Sequence, residues 1–573
     1  MKKNFFGKLF GLTLLMFTLL FTGAAAEVYE GTGLGYDKDG IVLDVEITND
    51  KIVDVKVKKS KESDFATPAI QEIAKKVIAT QSLDVDGISG ASLTSEGTKE
   101  AIEEAVKKSG VTLKAVTAQN TKAVELPKEA DVVVIGAGGA GLTSAIAAHE
   151  KGAKVILIEK TELLGGNTNY ATAGLNSAGT KIQEKLGEKD SPELFYEDTM
   201  KGGKNKNNKE LVKVLANNSS AIVDWLIARG ADLSEITSTG GQSAKRTHRP
   251  TGGAAVGPNI VSALSKTAEN EKIDIRKGTK AIALVKGKNR IVGVKVREID
   301  GKEYTIKAKA VIVATGGFGA NAKMVEKYNP KLKGFGSTNN PAIVGDGIVM
   351  VEKVGGALVD MNEIQTHPTV VHNKTNMITE AVRGEGAILV NRDGKRFIDE
   401  LETRDVVSKA ILSQKGKSAF LIFDEDIRTK LKAADGYVKK GFAVEGTLEE
   451  IAAKIGTDAK TLEATLNKYN EAVRNKVDSE FNKKTLPKEL TGDKYYVIEI
   501  SPAVHHTMGG VRINTNAEVL GKNGRPIKGL YAAGEVTGGI HGANRIGGNA
   551  VADITIFGKI AGENAATYSK SVK

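Results

Sequence analysis

Asp131-Val132-Val133-Val134-Ile135-Gly136-Ala137-Gly138-Gly139-Ala140-Gly141 is the stretch on which the reading of this chain turns. A short apolar strand (131–135) runs into glycines spaced Gly-x-Gly-x-x-Gly. A helical stretch to Lys151 follows, then a second strand over 154–158 that ends in Glu159. The glycines allow a tight turn and close backbone approach, so a pyrophosphate can rest on the helix N-terminus. Glu159, 18 residues beyond Gly141, can accept hydrogen bonds from ribose hydroxyls. A carboxylate there disfavours a 2′-phosphate, which leaves FAD or NAD. The glycines alone would be an ordinary tight turn; strand, helix, second strand and acid in register make a dinucleotide site.

Outward from that point the chain favours FAD. Gly165-Gly166-Asn167-Thr168 follows the second strand, where a flavin's pyrophosphate and ring need close backbone. A strand over 310–314 leads to Thr315-Gly316-Gly317, and Gly345-Asp346-Gly347 comes next. Near the C-terminus Gly529-Leu530-Tyr531-Ala532-Ala533-Gly534-Glu535 offers another acid to a flavin ribitol. Each could be a turn by itself, but four in this order point to one cofactor. Between about 363 and 502 the glycine doublets vanish and helical periodicity appears over 448–455 and 458–474. That pattern predicts a domain inserted into the larger one.

The 573 residues suffice for three to four domains. Lys2, Lys3 and Lys8 precede an apolar run over 9–21 and a small-residue end, Ala24-Ala25-Ala26, which reads as a secretory leader over 1–26. A membrane anchor needs about 17–25 apolar residues, and no later stretch is that long and apolar, so the mature chain is expected to lack a membrane span and to reach a periplasm, cell surface or the exterior. The net charge of +11 falls to +8 without the leader's lysines, a dispersed excess that needs no nucleic acid. There are no cysteines, which excludes disulfides, Cys-ligated zinc, Cys-bound iron–sulfur clusters and c-type haem. Residues 27–112 read as a small α+β unit: alternation over 43–47 and 53–57 about an Asn49-Asp50 turn gives a hairpin, with helices over 66–82 and 95–108. Residues 113–129 are polar and aperiodic, an expected linker.

From Asp131 onward the sequence resembles the flavoprotein family of fumarate reductases and succinate dehydrogenases, above all the soluble, exported flavocytochrome c type. The resemblance rests on QTHPT (365–369), MITEAVRGEGAILVN (377–391), ETRD (402–405), HHTMGG (505–510) and HGANRIGGNA (541–550). It implies a Rossmann-like α/β FAD-binding domain (130–362 and 505–573) interrupted by a mobile α+β clamp domain (363–504). For FAD it implies Gly136, Gly138, Ala140, Gly141, Glu159, Asn167, Thr168, Gly316, Asp346, His506, Glu535, Ala550 and Val551. For a dicarboxylate it implies His505 and Arg545 at one end, His367 and Thr379 at the other, with Glu380, Gly174 and Gly548 beside them. Arginine suits such a substrate because its fork binds carboxylates bidentately. The proton donor is implied to be Arg404, resupplied through Glu380 and Arg383.

Two departures from the family follow. Membrane-bound relatives attach FAD through a histidine, but none occurs between His149 and His248, so FAD is expected to be non-covalent. The place just before Gly240-Gly241, a methionine in soluble relatives, is Thr239. The N-terminal unit lacks any haem site. Asp86-Gly87-Ile88-Ser89-Gly90-Ala91-Ser92 instead resembles the FMN-binding domain of sodium-pumping quinone reductases and electron-transport subunits. There a flavin transferase joins FMN by a phosphoester to the last Ser or Thr, here Ser92, and electrons would come from a membrane-associated donor. A helix N-cap is the plain reading of Ser92, Thr94 and Ser95, which precede a helix. The alternatives are a reductase of another unsaturated acid (urocanate, methacrylate or cinnamate), an aspartate oxidase or ketosteroid dehydrogenase on the same framework, and an exported flavin electron-transfer protein. Thr379, Glu380, Arg404, His505 and Arg545 together favour fumarate reduction.

Overall fold

The computed structural model describes residues 26–35, 40–62, 66–88, 91–116 and 127–572. Nearly all of the expected leader and most of the expected linker lie outside them, as do Ser89 and Gly90. The chain forms two compact units, divided near residue 121.

The smaller unit holds a three-stranded antiparallel sheet in the order Glu27–Gly33, Ile41–Thr48, Lys51–Ser60. Period-two alternation buries Ile41, Leu43, Val45 and Ile47 on one face while Val42, Asp44, Glu46 and Thr48 remain half-buried on the other. Asn49 and Asp50 both take positive φ, 51° and 59°, the geometry of a two-residue hairpin turn. Helix Thr67–Thr80, with Pro68 in its first turn, buries Ile70, Ile73 and Val77. Strand Glu27–Gly33 lies so close to helix Ser92–Ser109 that a Cβ on Gly31 would stand 1.8 Å from the Ala101 carbonyl oxygen. That helix starts three residues before the expected 95: Thr94 and Ser95 are buried in its first turn, and the Thr94 hydroxyl donates to Glu62 Oε2.

The larger unit is centred on a sheet in the order Lys280–Lys286, Ile291–Arg297, Glu303–Val313, Glu129–Ile135, Val155–Ile158, Asp274–Arg276. The last four run parallel, and Pro526–Ala532 joins Glu303–Val313 in parallel as well. Val132, Val133 and Val134 are all fully buried, as an unbroken apolar run must be in a parallel sheet covered on both faces. Helices Gly139–Glu150 and Asn549–Ser571 pack on one another, with the Ser144 hydroxyl donating to the Gly558 carbonyl at 2.9 Å. The strand expected over 310–314 begins at Glu303, because its alternating first half pairs antiparallel with Ile291–Arg297.

A second hydrophobic core lies within the same unit, between Val371 and Ile500. Its antiparallel sheet runs Ile364–Val371, Tyr495–Thr507, Ala419–Asp424, Ile388–Val390. Helix Leu448–Ile455 matches its expected bounds, and Ala459–Asn475 starts one residue late because Asp458 caps it, accepting from the Thr461 N–H at 2.9 Å. Strand Tyr495–Thr507 leaves this core and carries its last residues, His505, His506 and Thr507, into the territory of the first.

Candidate active site

A cavity of about 850 Å³ opens where the parallel strands end. Gly136, Gly138 and Ala140 line it with backbone. Gly141 does not: a Cβ there would fall 1.7 Å from the Gly136 carbonyl oxygen, so this glycine seats the helix on the turn. Glu159 lines the cavity but is partly engaged already, accepting from the Ala137 N–H at 2.8 Å and the Thr161 N–H at 2.9 Å. Gly316 takes φ +72°, and Asp346, first residue of helix Asp346–Lys353, pairs with Lys160 at 2.6 Å. Asn167, Thr168, Glu535 and Ile554 belong both to this cavity and to a second of about 760 Å³, so the two form one long cleft. Glu535 accepts from the Thr507 N–H at 3.0 Å, and burial pushes its carboxyl up. Backbone-lined glycines at one end, buried polar groups at the other and His506 with both ring nitrogens unpartnered suit a long dinucleotide carrying a flavin.

The second cavity gathers charged groups from distant segments. Arg404 opens helix Arg404–Leu412, His505 and His506 end the long strand, and Arg545 lies just before helix Asn549–Ser571. Gly174, Gly548, Ala550 and Val551 complete the wall, with Gly548 at φ +87° as the helix N-cap. Arg404 Nε donates to Glu380 Oε1 at 2.7 Å, and Arg383 Nη2 lies 3.7 Å from the same oxygen. Burial pushes the Glu380 carboxyl up, but Arg404 and Arg383 outweigh it and hold it at about 2. Burial, then the charge of Arg404, brings Arg545 down to about 9. Burial and the arginines push His367, His505 and His506 well below the usual imidazole range, so all three are neutral at ordinary pH.

Four expected site residues stand behind this wall. The His367 ring meets that of His505 edge-on, centroids 5.1 Å apart. Thr379 caps helix Glu380–Gly384 and its N–H donates to the Tyr437 hydroxyl at 3.0 Å. Glu380 and the buried Arg383 form the ion pairs already described. Sequence reasoning gave no role to Gln365, 3% exposed. Its Oε1 accepts from Arg404 Nη1 at 3.1 Å while its Nε2 donates to Asn544 Oδ1 at 2.7 Å and to the Arg545 carbonyl at 2.8 Å. One amide thus ties the two arginines together. Thr338, also unassigned, bonds His505 Nδ1 at 2.7 Å. Gln365 could have been suspected only as a polar residue in a run that otherwise buries, and nothing local marks Thr338. Thr239 donates to the Gly547 carbonyl at 3.0 Å, on the site's rim.

Comparison with known proteins follows the same division. The FAD binding domain family matches residues 131–551 and the FMN-binding domain family residues 35–107. A NADH:fumarate oxidoreductase of Klebsiella pneumoniae (strain 342) is 45% identical over 93% of this chain, which spans only 58% of that relative's length. A fumarate reductase (cytochrome) of Shewanella frigidimarina is 51% identical over 77% of each chain. Among solved structures, the open conformation of a flavocytochrome c3 fumarate reductase superposes with TM-score 0.68 at 43% identity, covering 79% of this chain and 80% of the other.

Proposed function

The chain belongs to the family of flavoproteins with this FAD binding domain and carries an FMN-binding domain before it; from that premise we propose that it reduces fumarate to succinate. One observation carries the reading: Arg404, Arg545 and His505 converge on one cavity beside the dinucleotide cradle. Among the described residues, Glu380 is the only carboxylate within ion-pairing distance of either arginine. Such an excess of positive charge in a cleft suits a small dianion.

FAD, held by the cradle described above, would supply hydride chemistry at one alkene carbon. Arg545 and His505 grip one carboxylate, while His367 and Thr379 meet the other from a clamp domain comprising residues 363–504, which closes over the substrate and excludes water. Gly174 and Gly548 let the substrate approach the backbone. Arg404 gives the proton that the second carbon needs, and Glu380 and Arg383 return one to it. With Glu380 held ionised at about 2, the resting relay is a charged guanidinium on a carboxylate. The proton therefore leaves only as negative charge grows on the adjacent carbon. Two electrons and two protons convert each fumarate.

Ser92 would hold FMN by a phosphoester, placed there by a flavin transferase after export under the 1–26 leader, and that FMN would supply electron entry from a membrane-associated donor. The exposure of Ser92 at the start of its helix supports this, since an enzyme can reach the hydroxyl. Among the described residues no helix is long and apolar enough to cross a membrane.

Anaerobic turnover of the pure holoprotein with reduced viologen against fumarate, urocanate, methacrylate and cinnamate tests the substrate. Fumarate is reduced fastest; reduction of another acid without fumarate overturns the reading. Mass spectrometry of the protein from its native host finds FMN mass on the peptide spanning Ser92. An unmodified peptide, in a host with an active transferase, overturns the attachment.

A further inference from the structure

Behind the second cavity lies a buried pair that the mechanism above does not use. His541 Nε2 and Asp553 Oδ2 are 3.0 Å apart, and the two residues are 4% and 1% exposed. Asp553 sits in the second turn of helix Asn549–Ser571, whose N-terminal residues Ala550 and Val551 line the cavity. The His541 ring stands edge-on to that of His506, centroids 5.3 Å apart and planes at 81°. His506 faces the cavity beside Glu535, and neither of its ring nitrogens has a protein partner. His541 Nδ1 and Asp553 Oδ1 lack one as well. Two histidines and an aspartate invite a metal, but among the described residues no such group converges to hold one.

Unpartnered polar atoms are costly in a buried site, and here they line up from the helix to the cavity. A carboxylate that accepts from one nitrogen of an imidazole restricts the ring's rotation and its tautomer. The ring so fixed is the one that packs at a right angle on His506. Its carboxylate is also a negative charge held near the cavity in a medium of low dielectric.

We propose that Asp553 and His541 are positioning residues for His506: Asp553 pins the His541 ring, His541 holds His506 with a ring nitrogen offered to the flavin of FAD, and the buried carboxylate lowers that flavin's reduction potential. The inference rests on the FAD-binding reading and is independent of the substrate. Reduction adds negative charge to a flavin, so removing a nearby carboxylate favours the reduced form.

The test uses full-length protein loaded with FAD and made in a host lacking flavin transferase, so that one flavin reports. Potentiometric titration with redox dyes gives the midpoint, and the absorption spectrum gives the environment of the oxidised ring. Asp553→Asn retains FAD and shifts the equilibrium toward reduced flavin by about tenfold, or ~30 mV for a two-electron couple. Asp553→Glu returns it toward wild type. His541→Gln, which frees His506 while keeping the carboxylate, alters the oxidised spectrum. A midpoint in Asp553→Asn equal to or below wild type overturns the proposal, as does an equal shift in Asp553→Glu. Should Asp553→Asn lose FAD, an unchanged spectrum in His541→Gln overturns the proposal and a changed one supports it. Wild-type protein that takes up no FAD at all contradicts the cofactor reading instead.

Discussion

The two cavities of the larger unit share Asn167, Thr168 and Glu535, yet they are made of opposite materials. The first is shaped by glycine backbone and the ends of parallel strands; the second is lined by side chains in which positive charge is in excess. Damage to the first should remove the cofactor. Damage to the arginines of the second should leave the cofactor in place and remove rate.

The sharpest way to break that contrast is Gly141→Val. Its side chain would meet the Gly136 carbonyl oxygen, 1.7 Å from the position of a Cβ, so the helix cannot seat on the turn. The flavin-to-protein ratio of the purified variant falls to that of FMN alone; full FAD content contradicts the account of the cradle. Arg404→Ala comes next. It keeps FAD, and kcat with fumarate drops by about 10²–10⁴-fold or more, the worth of a positioned proton donor. Activity within a few-fold of wild type removes Arg404 from the acid role.

Arg545→Met loses less. An unmatched carboxylate in a closed site appears as a fall in kcat/KM, because the same contact orients the alkene. Kinetics like wild type place the carboxylate elsewhere. The gentlest probe is pH. Arg545 in the free protein loses its proton as pH rises through about 9, and a dianion binds only the cation. The profile of kcat/KM therefore turns down near pH 9, while kcat, measured with substrate bound and the cation stabilised, holds to higher pH. A kcat/KM profile flat across pH 9 contradicts the lowered pKa of Arg545.

The same contrast explains what the sequence disclosed. The cradle was legible because its strand, glycines, helix and acid fall within 29 residues, from Asp131 to Glu159, and each obeys a local rule. The helices Leu448–Ile455 and Ala459–Asn475 were legible from their period, the second to within one residue at each end. The sheet of the second core was not, since its strands, such as Ala419–Asp424, are short apolar runs that carry no alternation. Motifs named most of the charged residues but could not arrange them. Gln365 reaches Arg404 across 39 positions and Arg545 across 180, and no periodicity records a contact of that span. Motif reading put Thr379 at the substrate but could not show that its hydroxyl also caps helix Glu380–Gly384.

One measurement addresses the central claim, that the charged cavity delivers a proton to a substrate reduced at the neighbouring flavin. Holoprotein reduced to completion under anaerobic conditions is mixed rapidly with fumarate, and flavin reoxidation and succinate are followed together, in wild type and in Arg404→Ala. The account predicts that wild-type flavin is reoxidised with stoichiometric succinate and that the variant, equally loaded with FAD, stays reduced. Equal reoxidation and equal succinate in both would contradict it.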